Sequence, residues 1–69
     1  MPYRVDYADK FDVFHRHYNQ RGPAEAYART KSRKSQGISQ IVKLKDSKPL
    51  GKKTFENGKM VQVDAGYFY

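Results

Sequence analysis

The sequence predicts an α+β domain in which a small, mostly antiparallel sheet carries one helix packed on one face. Two segments near the N-terminus alternate large apolar and polar side chains, a helix-like segment follows, and the C-terminal half contains further alternating segments around an Asn-Gly turn. A chain of 69 residues has the length of a single small domain. The predicted order is β-β-α-β followed by a C-terminal β-hairpin, with a basic loop at about 46–53 and a short aromatic tail at 64–69.

Residues 3–7 and 11–18 are predicted to form the first hairpin, because apolar and polar side chains alternate along both segments. A loop at residues 8–10 gives one consistently apolar face. That face combines Tyr3, Val5, Tyr7, Phe11, Val13 and His15. The opposite, outer face would then show Arg4, Asp6, Asp12, Phe14, Arg16 and Tyr18. A helix is the alternative for residues 7–18, whose aromatic residues also recur at helical spacing, although turn formers at 9–12 favour strands.

Residues 22–34 are predicted to form the helix. Pro23 suits the first helical position because its φ is fixed and it needs no N–H partner there. Glu25 in the first turn and the basic residues of the last turn would complement the helix dipole, and Gly37 would end the helix in a left-handed conformation. The side chains expected to face the sheet are Ala24, Tyr27, Ala28 and the stem of Lys31.

The C-terminal half is predicted to contain a strand at 38–45, a loop at 46–51 and a final hairpin. The loop is inferred because Pro49 cannot donate a hydrogen bond within a central strand. The dipeptide Asn57-Gly58 predicts a type I′ turn. A simple two-residue turn does not bring the apolar residues of this hairpin to one face, so their burial is left open: Phe55, Met60, Val61 and Val63. The tail at 64–69 either forms a last strand segment that folds back over the core or is an exposed end.

The charge of the chain is concentrated in its middle. Fourteen Lys and Arg residues against seven Asp and Glu give a net charge of +7. Between residues 29 and 53 there are nine basic residues and one acid: Arg29, Lys31, Arg33, Lys34, Lys43, Lys45, Lys48, Lys52 and Lys53, with Asp46. An excess of this kind indicates polyanions or acidic protein surfaces as partners, although a lysine-rich surface also serves solubility alone.

No residue pattern indicates catalysis or a cofactor. The chain lacks cysteine, so disulfides and thiolate metal sites are excluded. His15 and His17 would project from the same face of a strand, but they lack a third ligand and a nucleophile partner, so neither a metal site nor an enzyme is expected. The glycines are isolated and do not form a phosphate-binding loop. No apolar run is long enough to span a bilayer and no signal peptide is recognisable, so we expect a cytoplasmic protein that does not insert into membranes.

The leading hypothesis is a small, non-catalytic nucleic-acid-binding protein of low sequence specificity, in which the nine basic residues contact phosphates. Phe14, Tyr18 and Arg16 could add stacking on bases, with single-stranded and duplex ligands both left open. The alternative is a protein interaction module, a small regulator or inhibitor such as a bacterial or phage accessory protein, that docks the same patch on an acidic partner. Pairing of sheet edges into a homodimer also stays open.

Overall fold

A computed structural model describes residues 2–68 of the chain. The elements are β1 (Tyr3–Ala8), β2 (Val13–Tyr18), α1 (Arg21–Ser35), β3 (Ile38–Lys45), β4 (Lys48–Glu56), β5 (Lys59–Val63) and a 3₁₀ helix (Ala65–Phe68). The strands form one five-stranded sheet in the order β2-β1-β3-β4-β5, and every neighbouring pair is antiparallel. The predicted α+β class, with one helix on one side of an antiparallel sheet, is therefore confirmed.

The core lies between α1 and one face of the sheet. Since β2 and β3 both pair with β1, helix α1 carries the chain across β1 from one neighbour to the other. Small side chains on α1 allow the helix backbone to approach the strands closely, and the larger core residues come from the strands and the C-terminus. The core cluster consists of Val5, Ala24, Ala28, Ile41, Phe55 and Tyr67.

The β1–β2 connection differs from the predicted loop, and the register of the hairpin changes with it. The loop spans residues 9–12, because the Asp9 carboxylate accepts hydrogen bonds from the Phe11 and Asp12 backbone N–H groups, each at 2.7 Å. Tyr7 therefore pairs with Phe14. The predicted face assignment is wrong: the helix-facing residues of β2 are Phe14, Arg16 and Tyr18, whereas Val13, His15 and His17 lie on the other face.

Helix α1 begins at Arg21, one residue earlier than predicted. Pro23 is consequently the third helical residue, which is also tolerated because the first turn has no intrahelical N–H partners. The first turn contains no acidic residue, so the predicted dipole role of Glu25 is wrong. Gln36, rather than Gly37, ends the helix with a left-handed φ of 54°. Glycine is needed at Gly37 because a side chain there would overlap the Tyr7 hydroxyl.

The predicted loop at 46–51 is largely strand. Only Asp46 and Ser47, with φ values of 52° and 66°, turn the chain between β3 and β4. Pro49 is accommodated near the start of β4, where it opposes Leu44 at a register shift and precedes the β5 pairing.

The last hairpin turns at Asn57-Gly58 as predicted, with φ values of 54° and 80°. A register shift after Thr54 resolves the open question of its apolar residues: Phe55 is buried, whereas Met60 and Val61 are exposed. In the described residues the tail folds back over the core, but as a 3₁₀ helix rather than as the predicted strand segment; this helix buries Tyr67 in the core while Phe68 remains exposed. Tyr69 lies outside the described residues.

Candidate nucleic-acid interface

The predicted basic residues of α1 point to opposite flanks of the helix. Arg29 lies towards β4, with its guanidinium carbon 5.1 Å from the centroid of the Phe55 ring, and Arg33 packs beside the β4–β5 turn. Lys31 lies on the other flank, above aromatic rings of β1 and β2. Lys34 follows Lys31 by three residues and therefore lies on the same flank.

The remaining predicted basic residues lie farther away. Lys45 and Lys48 are exposed beside the β3–β4 turn, at the end of the sheet opposite to the C-terminus of α1. Exposed Lys52 lies on the face without the helix, whereas half-buried Lys43 and Lys53 lie on the helix side. The nine residues therefore occupy several regions rather than one contiguous patch, and their contact with a ligand stays a prediction.

The surface is nevertheless more basic than the composition suggests. Within residues 2–68, three acidic side chains are exposed: Asp12, Asp46 and Glu56. Ten basic side chains are exposed: Lys10, Arg16, Arg21, Arg29, Arg33, Lys34, Lys45, Lys48, Lys52 and Lys59. The other four acids accept hydrogen bonds within the protein, so they contribute little negative charge to the exposed surface. This imbalance creates a positive field around the whole molecule.

Glu25 illustrates how an acid is held internally. Its Oε1 atom accepts hydrogen bonds from Lys53 Nζ at 3.1 Å and from the Tyr67 hydroxyl at 2.9 Å. Burial acts to raise the pKa of Glu25, but the hydrogen bonds from Lys53 and Tyr67 outweigh burial and hold the pKa below its ordinary value. Burial and the bond to Glu25 together raise the pKa of Tyr67. Lys53 therefore has a structural role and is the least suited of the predicted residues to bind phosphate.

An aromatic and cationic surface runs between β2 and the neighbouring flank of α1. We call it the α1–β2 strip, and it consists of Phe14, Arg16, Tyr18, Tyr27 and Lys31. Its rings are half-buried and in contact. The centroid of the Tyr27 ring lies 6.3 Å from that of Phe14 and 5.9 Å from that of Tyr18. The exposed Arg16 guanidinium carbon is 5.3 Å from the Tyr27 ring centroid and 5.5 Å from that of Tyr18. Burial raises the pKa of Tyr18 above its ordinary value.

The predicted stacking residues are therefore brought together, but on the helix side of the sheet rather than on its outer face. The sequence did not identify Tyr27 as a surface residue, because its helical spacing predicts a side chain that faces the sheet. In the structure the buried residues of α1 are Ala24, Ala28 and Ser32, and Tyr27 lies half-buried at the edge of this row. The missed signal is the turn chemistry of Asp9, which sets the β2 register.

No family model matches this chain, and neither the curated proteins nor the solved structures contain a match to it.

The face of the sheet without the helix carries His15 and His17, whose ring centroids are 6.1 Å apart. Across residues 2–68, no group of three or more His, Asp or Glu side chains is placed to hold a metal ion. In the same part of the chain, no helix is long and apolar enough to cross a membrane.

Proposed function

We propose that this protein binds nucleic acid without catalysing a reaction on it, mainly through Lys and Arg contacts to phosphates and with low sequence specificity. The observation that supports the proposal is the exposed charge: ten basic against three acidic side chains within the described residues. Each phosphate contact releases condensed counterions, so a surface of this composition gains affinity without reading base edges.

The α1–β2 strip favours nucleic acid over other polyanions as the ligand. Polyanions without bases, such as heparin or polyphosphate, offer charge but no flat aromatic rings. Arg16 and the half-exposed tyrosines at positions 18 and 27 offer both charge and flat aromatic surface. This combination suits a ligand that carries phosphates and bases along the same chain.

The test is a fluorescence anisotropy titration with labelled single-stranded and duplex oligonucleotides of equal phosphate number at 50 and 200 mM salt. We expect binding at the lower salt concentration and a loss of at least about tenfold in affinity at the higher one, since phosphate contacts are strongly salt-dependent. Polyglutamate of similar length serves as a control for charge alone. Absence of binding to every oligonucleotide at 50 mM salt, or tighter binding to polyglutamate, would refute the proposal.

A second candidate function, docking on an acidic protein partner, is favoured by an apolar cluster beside the β1–β2 turn. Phe11 is 93% exposed, Val13 77% and Ile38 46%, although a small domain gains by burying such side chains. Ala8 pairs with both Val13 and Ile38, so the cluster is continuous across three strands.

The Phe11→Ser variant tests this candidate. Because Phe11 is exposed, we expect the stability of the domain to change by less than about 0.5 kcal/mol. Pull-down from nuclease-treated lysate, followed by titration of the purified partner, should give an acidic protein that binds the wild type at least tenfold more tightly than the variant. Equal binding by both would exclude the Phe11 cluster as the docking surface.

A further inference from the structure

We infer that the α1–β2 strip is a binding site for single-stranded nucleic acid, in which unstacked bases lie against Arg16 and its neighbouring rings while adjacent phosphates meet the strip's cations. The inference rests on the proposed function and names the class of nucleic acid that this function takes. DNA and RNA share the bases and phosphates that the site would recognise.

The first argument is the preorganisation of Arg16. Its guanidinium carbon lies within 5.5 Å of the Tyr18 and Tyr27 ring centroids, so two rings restrain a side chain that would otherwise sample many rotamers. The residue remains exposed, and the planar guanidinium therefore offers a flat surface to a base. Its N–H groups can donate to a phosphate at the same time. A solvated surface arginine without these contacts would lose more entropy on binding.

The second argument is the spacing of the rings. Within one strand of a duplex, successive bases stack about 3.4 Å apart and leave no room for a side chain between them. The centroid distances along the strip are 5.9 and 6.3 Å, and alternate β2 residues are about 6.7 Å apart along the strand. Bases that contact successive members of the strip must therefore be separated from one another. A single strand allows this separation at low cost, whereas a duplex does not.

The third argument is access. Within residues 2–68, strand β2 forms one edge of the sheet and pairs with β1 alone, so a ligand can approach the strip from the side on which these residues place no further strand. Lys31 Nζ lies 5.3 Å from the Phe14 ring centroid, and exposed Lys34 is on the same flank of α1. Asp9 interacts electrostatically with Lys31, but its carboxylate already accepts hydrogen bonds from the Tyr7 hydroxyl and from turn amides. The flank is therefore suited to phosphates.

The test compares 12-nucleotide oligo(dT) and oligo(rU) with a duplex of equal phosphate number, using the full chain and Arg16→Lys. Lysine keeps the charge but lacks the planar group. Because one base contact of this kind contributes about 1–3 kcal/mol, we expect the variant to lose roughly 5- to 150-fold in single-strand affinity with little change for the duplex. Lys59→Gln, at an exposed residue of the opposite edge strand β5 and on the face of the sheet without the helix, is the control and should change single-strand affinity less than about threefold.

Tyrosine fluorescence gives a second measurement, because the chain has six tyrosines and no tryptophan. Stacking on the strip should quench this emission with the single strands, and the Tyr18→Leu variant should reduce both the quenching and the affinity. Thermal unfolding shows whether each variant is folded at the assay temperature. Arg16→Lys, which leaves the half-buried rings in place, keeps the test decisive if Tyr18→Leu does not fold.

The outcomes separate the two proposals. Binding of the single strands at least tenfold more tightly than the duplex, together with the Arg16→Lys loss, supports the inference for whichever of oligo(dT) and oligo(rU) binds. Equal or tighter duplex binding, or equal losses for Arg16→Lys and Lys59→Gln, overturns the inference and leaves the proposed function intact. No binding to any of the three ligands overturns both.

Discussion

Replacing Tyr67 by Phe tests whether the hydrogen bond from the C-terminal 3₁₀ helix to α1 stabilises the fold. The Tyr67 side chain is 1% exposed, and its hydroxyl donates to Glu25 Oε1 at 2.9 Å. The variant keeps the ring in the core and removes only this bond. Hydrogen bonds to charged groups contribute about 1.5–3 kcal/mol to stability.

The lower end of that range applies here, because the Glu25 side chain is 26% exposed and keeps the bond from Lys53 at 3.1 Å. We therefore expect the free energy of unfolding to fall by about 1.5 kcal/mol. For a domain of this size that corresponds to a decrease in Tm of roughly 6–12 °C. Thermal and urea unfolding at pH 7, followed by circular dichroism, measure both quantities.

A matched control and a double-mutant cycle make the result specific. Tyr3 is half-buried and its ring contacts that of Tyr67, but no described residue hydrogen-bonds to the Tyr3 hydroxyl. Tyr3→Phe should therefore change the free energy of unfolding by less than about 0.5 kcal/mol. Combining Tyr67→Phe with Glu25→Gln should give a coupling energy of about 1 kcal/mol. Equal stabilities of Tyr67→Phe and wild type, or zero coupling, would refute this account of the C-terminus.

Other predictions concern acid stability and close backbone packing. The pKa values of Asp9 and Glu25 in the folded protein are held below their ordinary values. The stability that the two carboxylates contribute is therefore complete above the ordinary pKa values and is lost as the pH falls through the folded-state pKa values. Urea midpoints should decline between pH 7 and pH 3, and the decline should be less steep for Glu25→Gln. A pH-independent midpoint would contradict this. Gly66→Ala should destabilise the domain by about 1–3 kcal/mol, since its Cβ would overlap the Leu50 carbonyl oxygen. Gly22→Ala, which meets nothing within 4 Å, should be neutral or slightly stabilising, and equal effects of the two substitutions would be inconsistent with the packing described.

The sequence predicted the parts of the fold that depend on local patterns. Alternation located β3 at its observed bounds, and Asn57-Gly58 located the β4–β5 turn, because a type I′ turn requires residues that tolerate positive φ. Alanine spacing identified the helix face that packs on the sheet. The fold class followed from the order of these elements.

The errors arose where one side chain or one long-range contact overrides the local pattern. The Asp9 carboxylate caps its own turn and lengthens it, which reverses the faces of β2 relative to the simple alternation. Pro49 enters β4 because of a register shift and because β5 ends at Val63, opposite Lys53, so no β5 residue pairs with Pro49. Neither effect is visible in residue periodicity.

The candidate site was predictable in its residue types but not in its geometry. Phe14, Arg16 and Tyr18 do lie together, yet only the corrected register places them beside Tyr27 on α1. The basic residues adjacent in sequence at 29–34 diverge because successive helical positions turn by about 100°. Charge density along the chain is therefore a poor guide to charge density on the surface.

We propose that nucleic acid binds at the α1–β2 strip. The most direct measurement is a ¹⁵N–¹H correlation spectrum of the protein titrated with a short single-stranded oligonucleotide at 50 mM salt. We predict that the largest shifts occur at β2 residues 14–18 and at residues 27–34 of α1, while the turn between Lys45 and Lys48 moves least. Shifts centred on that turn, or no shifts at saturating oligonucleotide, would contradict the claim.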